Sequence, residues 1–508
     1  MLARARTFAI DGVHPRPVWV EVDIRSGLPS FTIVGLGDTS VRESRDRIRA
    51  AILNSGFEFP QSRITANLAP ASLRKAGPGF DAALALGVLL ASGQIPADAL
   101  DTYAVFGELS LGGELRDSPG ALAVAEGARQ AHCRRLIVPR QRGREAALVE
   151  GIEVVAVTDL RAAAAVLRGS APPALPAGPR AADHPIRTAG PDLADVRGHA
   201  GPVLALQIAA AGGHNLLMEG PPGTGKTMLA RRLPSILPAL ARDEAIEVTR
   251  IHSVAGLHAD RLMTERPFRA PHHTISPAGL AGGGSPPRPG EATLAHHGVL
   301  FLDELSEFQR PSLDSLRQPL EDGHVTIVRG QNSLSFPTRF MLIAATNPCP
   351  CGYAGVDDRC TCGEGELRRH RRRLSGPLLD RMDLVVAVRR PAAEALVAAA
   401  TIDSAQARAR VAEARERQAR RLAPTGLRTN GEMDARTAAE RARLAPRAEA
   451  ALQRAYAAGL LSARGRHRVL RVARTIADLA AHDRVGHQHV LTALSLRQPA
   501  TTEEASAA

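Results

Sequence analysis

An octet, GPPGTGKT from Gly220 to Thr227, follows the apolar run Leu216-Leu217-Met218 and precedes the helix-like stretch KTMLARRL. Strand, glycine-rich turn, helix is the context in which this Walker A spacing builds a phosphate cradle, and it commits this part of the chain to an α/β fold. Gly220, Gly223 and Gly225 let the backbone curl until successive N–H groups face one phosphate, with Pro221, Pro222 and Thr224 completing the loop. The helix beginning near Lys226 adds its partial positive charge. Lys226 is placed to reach the β- and γ-phosphates of ATP, and the Thr227 hydroxyl to ligate Mg²⁺. Of the 64 basic residues only Lys75 and Lys226 are lysines, so a compact cation is kept where a phosphate needs one.

A second apolar run, GVLFLDE from Gly298 to Glu304, ends in two carboxylates. A buried strand ending this way sets Asp303 to hold Mg²⁺ through water, and Glu304 to orient and deprotonate the attacking water. A third run, RFMLIAATN from Arg339, closes on Asn347, a candidate sensor of the γ-phosphate. In SGPLLDRMD, Ser375 to Asp383, Arg381 is the candidate arginine finger at a subunit boundary, unless Asp380 or Asp383 holds it within the chain.

At 508 residues the chain exceeds one core, and its composition divides it. Residues 1–169 alternate strand-like stretches, VWVEVDI (Val18 to Ile24) and FTIVGLG (Phe31 to Gly37), with helical ones at Thr39 to Ser55 and Phe80 to Ser92. Residues 170–191 are a Pro/Ala/Gly-rich linker, 192–390 the nucleotide-binding core, 391–498 a helical domain and 499–508 a disordered tail. A net charge of +12, carried almost wholly by arginine, fits a polyanion partner such as DNA, held in a salt-dependent way. Aromatic residues are only 3%, which argues against a base-stacking platform and leaves the phosphate backbone as the handle. No apolar run approaches the length of a membrane span and no charged leader opens the chain, so a cytoplasmic protein is expected.

Cys349 and Cys351 form one C-x-C pair, Cys360 and Cys362 another. Four thiols in two pairs suit a tetrahedral Zn²⁺ that staples a loop too polar to fold alone, although the spacing is tighter than a C-x₂-C knuckle and leaves free thiols or another soft metal open. The run LRRHRRR, Leu367 to Arg373, follows directly and is either a phosphate grip or a solvated loop. His272 and His273, with His296 and His297, lack helical ligand spacing and interleaved carboxylates, and do not read as a metal site.

Together the Walker A octet, LFLDE, ATNPCPCG, SGPLLDRMD and the later SARGRHRVLRVARTIADLA resemble the magnesium-chelatase-like AAA+ ATPases of the YifB/ComM kind, over nearly the whole chain. The resemblance implies a ring, a homo-hexamer, and for ComM-type members a DNA branch-migration motor in natural transformation. It also implies an AAA+ core of the helix-2-insert clade, with insertions at 266–292, containing Arg269 and Arg288, and at 323–340, where Arg329 would contact substrate; the second of these alternates like a hairpin with a turn near Gly330 to Asn332. The helical domain would then be a lid, and Arg464, with Arg468 and Arg471 as neighbouring alternatives, would match a sensor-2 arginine. The lines from Lys75 to Gly93 and Phe106 to Arg129 resemble the proteolytic domain of Lon proteases, but Gly79 and Leu122 stand where that chemistry needs serine and lysine, so a non-proteolytic scaffold is expected. Two rival readings remain: an ATP-dependent unfoldase of polypeptide, and a chelatase-type remodelling ATPase.

Overall fold

The structure is a computed structural model and describes residues 2–497 except 36, 38, 74, 76, 78, 176–189, 258–260, 285–286, 330–331, 356–358, 375, 398–399 and 401. Most of the expected linker, the expected tail, the hairpin turn and the start of the SGPLLDRMD run therefore lie outside the described residues. The chain divides into two compact units, residues 1–185 with 242–263, and residues 186–241 with 264–508.

The first unit is built on a mixed seven-stranded sheet. Its strands are β1 (Leu2–Asp11), β2 (His14–Arg25), β3 (Ser30–Val34), β4 (Arg63–Ala69), β5 (Tyr103–Val105), β6 (Arg135–Pro139) and β7 (Glu153–Val157), in the order β3-β4-β2-β1-β5-β6-β7. Val18, Val20 and Val22 alternate with polar residues along β2 and are fully buried, so one face of the antiparallel β1–β2–β4 ribbon is committed to the core. The helices are α1 (Thr39–Asn54), α2 (Asp81–Ala91), α3 (Ala121–Gln130) and α4 (Leu160–Leu167). Every residue of α2 is buried, and a Cβ on its Gly87 would lie 2.8 Å from Val22, so only glycine permits this helix–sheet approach. The helix Arg242–Val254 also belongs to this unit, although it falls within the stretch expected to be nucleotide-binding core. Arg250 on it pairs with Glu126 of α3 at 2.8 Å, and Ser253 donates to Glu145, which is itself paired with Arg142.

Gly79 and Leu122 both sit in this first unit. A Cβ at Gly79 would lie 2.6 Å from the Phe106 ring, and Leu122 is fully buried, so neither position offers a reactive side chain to an open site.

The second unit carries a five-stranded, wholly parallel sheet. After helix α5 (Ala200–Gly212) come β8 (Leu216–Glu219), the short helix α6 (Lys226–Ala230), β9 (Phe268–Arg269), β10 (Val299–Leu302), a hairpin of β11 (His324–Arg329) and β12 (Asn332–Pro337), β13 (Met341–Thr346), helix α7 (Glu364–Arg373) and β14 (Leu384–Ala387). The sheet order is β9-β10-β13-β8-β14. Successive residues of its strands enter opposite cores: Leu216, Met218, Phe301 and Ile343 face α5, while Leu217, Leu300, Leu302 and Leu342 face the other layer. Burial on both sides explains why these strands read as continuous apolar runs rather than as alternating ones. The helices α8 (Ser404–Leu422), α9 (Pro446–Ala457), α10 (Ala463–Leu479) and α11 (His487–Ser495) share the first of those cores. On α10, Val469, Leu470, Val472, Ala473 and Ala477 make the buried face that the sequence periodicity predicts.

Candidate nucleotide site

The strand order sets the site. Because β13 lies between β8 and β10, the residues that follow these three strands emerge side by side at one carboxyl edge. Register fixes the alignment: Glu219 pairs with Thr346, so the glycine-rich loop and Asn347 leave the sheet together.

Gly220 has no room for a side chain, since a Cβ there would lie 2.1 Å from the Val388 carbonyl oxygen. Gly223 and Gly225 adopt φ of 74° and 91°, the left-handed region that favours glycine, and Gly225 caps α6. Lys226, the first residue of α6, is buried, and its ammonium donates to the Gly220 carbonyl at 2.6 Å, the Pro221 carbonyl at 2.8 Å and the Asn347 side-chain oxygen at 3.1 Å. Burial lowers its pKa, while Asp303 and Glu304 pull in the opposite sense. The Thr227 hydroxyl donates to Asp303 Oδ2 at 2.6 Å, which brings the two residues proposed for Mg²⁺ into direct contact. The Thr224 hydroxyl closes the loop onto the Pro221 carbonyl at 2.9 Å.

Glu304 occupies left-handed backbone, φ 51° and ψ 50°, an uncommon conformation for a non-glycine residue. Its carboxylate is exposed beyond the end of β10, and His273 Nδ1 lies 3.7 Å from it. His273 is a neighbour of Glu304 that sequence reasoning missed. A histidine in a Gly/Pro-rich loop gives no hint of its partner, and only the adjacency of β9 and β10 brings the two together.

Arg381 is largely buried, and its guanidinium pairs with Glu321 rather than with Asp380 or Asp383. Burial lowers its pKa, with Arg317 and the exposed Arg464 adding to the effect. The Asn215 side-chain amide donates to the Arg381 carbonyl at 3.1 Å and its oxygen accepts from Leu342 N–H at 2.9 Å, tying the Arg381 turn to the sheet. Asp383 is fully buried, with Arg471 at 2.8 Å, His214 at 3.6 Å and Arg468 at 4.0 Å. Burial alone would raise its pKa, but Arg471 and His214 outweigh that and hold it at about 2. Arg471 is thereby committed to a structural ion pair, as is Arg269, whose guanidinium makes two bonds to Glu291 at 2.6 and 2.8 Å. Arg329 lies on the expected hairpin, in the last position of β11.

The four clustered cysteines converge. The Cys349–Cys351, Cys349–Cys360 and Cys351–Cys360 sulfur separations are 3.3, 3.9 and 3.7 Å, and all four ligand atoms, Cys362 included, lie within 4.8 Å of one another. A ZnS₄ tetrahedron with bonds of about 2.3 Å has sulfur–sulfur edges of about 3.8 Å, so the set fits that ion. The Tyr353 backbone and the Cys349 thiol lower the Cys351 pKa to about 6, whereas at Cys360 and Cys362 a backbone hydrogen bond that lowers it is outweighed by burial and the neighbouring thiols, which raise it, at Cys362 to about 12. The cluster sits against the nucleotide loop: a Cβ on Gly352 would lie 2.7 Å from Pro222. Downstream, His370 on α7 is buried, with Nε2 2.9 Å from the Asn347 carbonyl oxygen.

Among the described residues no helix is long and apolar enough to cross a membrane. Family models match along the chain: "Subunit ChlI of Mg-chelatase" over residues 20–142, "Magnesium chelatase, subunit ChlI" over 192–396 and "Magnesium chelatase, subunit ChlI C-terminal" over 401–497. The chain is 45% identical over 500 residues to an uncharacterized protein of Mycobacterium tuberculosis, covering 98% of this chain and 99% of the relative. It is 42% identical to the uncharacterized protein YifB of Escherichia coli, covering 98% and 97%. To the competence protein ComM of Haemophilus influenzae it is 41% identical over 498 residues, covering 96% and 95%. On near-full-length identity and on the matched segments, the chain belongs to the YifB/ComM family of magnesium-chelatase-like AAA+ proteins.

Proposed function

We propose that this protein is an ATP-hydrolysing AAA+ ring motor that acts on DNA, promoting branch migration during DNA uptake or recombination. The observation that carries the enzymatic half is the convergence of Lys226, Thr227, Asp303, Glu304 and Asn347 at one sheet edge. ATP with Mg²⁺ supplies the scissile phosphoanhydride and the charge that draws its phosphates to the loop. Lys226 would exchange its carbonyl partners for phosphate oxygens, Thr227 and Asp303 would hold the metal, Asn347 would orient the γ-phosphate, and Glu304 would take the proton of the attacking water. Arg381, on releasing Glu321, would serve a neighbouring subunit's phosphates across the boundary of a homo-hexamer, and Arg464 would contact nucleotide from the helical lid. Zn²⁺ on Cys349, Cys351, Cys360 and Cys362 staples the loop that buttresses Pro222.

The DNA half is supported by the net charge of +12 and by the relative named as a competence protein. Remodelling of a protein partner is the second reading, favoured by the magnesium-chelatase descriptions matched along three segments. The two separate in one assay: ATP turnover measured with single-stranded DNA, duplex, a branched junction and an unfolded polypeptide. Stimulation by DNA, strongest with the junction, supports the motor. Stimulation by polypeptide alone overturns it.

A further inference from the structure

A cleft of about 500 Å³ lies between the turn that follows Glu304 and helix α7. Arg310, Arg369, Arg372 and Arg373 line it, with Glu307 as the one carboxylate in the lining. Positions 369, 372 and 373 share one face of α7, since three- and four-residue steps return to the same side of a helix. Among the described residues no ion pair engages Arg369, Arg372 or Arg373, and Arg310 has only a solvent-exposed contact with Asp314 at 3.8 Å, which costs little to exchange.

We infer that this cleft is a contact site for the phosphodiester backbone of nucleic acid. Guanidinium groups bind phosphate through paired N–H donors, and four of them set along a cleft, all exposed, suit a chain of phosphates better than a single enclosed ion. The lining offers no stacking surface, because Phe308 is buried with its ring against His273, so the contact reads backbone rather than bases. Both walls lead to the nucleotide site. Ser306 and Glu307 belong to the short helical turn that Glu304 caps, and α7 is anchored through His370 to the Asn347 carbonyl. Nucleic acid seated here bears at once on the residue proposed to activate water and on the residue proposed to sense the γ-phosphate.

The inference rests on the reading that DNA is the substrate, and salt dependence separates the two. Binding of a labelled oligo-dT strand to the full-length protein is followed across a salt series. Wild type is compared with Arg369→Gln/Arg372→Gln/Arg373→Gln and with an Arg436→Gln/Arg447→Gln/Arg454→Gln set that removes equal charge from exposed positions elsewhere. With about 0.7 counterions released per single-strand phosphate, the cleft set lowers the slope of log K against log salt by about 2, while the matched set leaves it near wild type. An Arg369→Lys/Arg372→Lys/Arg373→Lys protein keeps most of the slope, which separates lost charge from lost fold. If wild type binds and the cleft set retains its slope, or the matched set loses as much, the cleft is not the contact. If wild type binds no DNA, the substrate reading fails together with the cleft.

Discussion

Glu304 is held in left-handed backbone just beyond the end of β10, with its carboxylate exposed. Replacing it with glutamine keeps the shape but removes the proposed base, so Glu304→Gln should bind ATP and hydrolyse it about 10²- to 10⁴-fold more slowly in a steady-state assay. Lys226→Ala, by contrast, should lose ATP binding itself, as measured by nucleotide titration. A second residue-scale expectation concerns acid. The Asp383 pKa is held at about 2 in the folded protein, below the ordinary carboxylate value near 4. A depressed folded pKa contributes stability that is present above the unfolded value and is lost as pH falls from about 4 towards 2, here roughly 2 to 3 kcal/mol. Asp383→Asn should therefore melt at lower temperature at neutral pH, and the gap from wild type should shrink on acidification through that window. The Walker residues were legible because their spacing itself encodes strand, turn and helix. The Glu321 partner of Arg381 was not, since an ion pair between residues so distant in sequence depends on how two elements fold back together.

At the level of elements, the apolar runs before Gly220, Asp303 and Asn347 announced three strands, but their parallel order emerges only from the fold, while alternation announced the β11–β12 hairpin. The membership of helix Arg242–Val254 in the first unit was invisible, because an amphipathic pattern states that a face is buried and not what buries it. The cysteine loop is the element with the most direct test. Protein purified without chelator should carry about one Zn²⁺ per chain by metal analysis, and Cys360→Ser should lower that content. Because Gly352 abuts Pro222, chelation should also weaken ATP binding, a coupling that a remote structural metal would not produce. Absence of zinc in the wild type, or unchanged content in the mutant, contradicts the assignment.

At the scale of the whole molecule, the proposed motor requires Arg381 of one subunit to reach the nucleotide of the next. Arg381→Ala should retain ATP but fail to hydrolyse it, and mixing it with Glu304→Gln should restore part of the turnover, because some boundaries then combine an intact Glu304 with an intact Arg381. Summed activities of the two separate proteins, with no gain on mixing, would place Arg381 within its own subunit's site. The central claim is that hydrolysis moves DNA, and the direct measurement is displacement of a strand from a branched junction at moderate salt, with ATP, by wild type beside Glu304→Gln. Wild type should displace the strand, and Glu304→Gln should bind the junction tightly without displacing it. A wild type that leaves the junction intact, with an ATPase indifferent to DNA but raised by unfolded polypeptide, would contradict that claim.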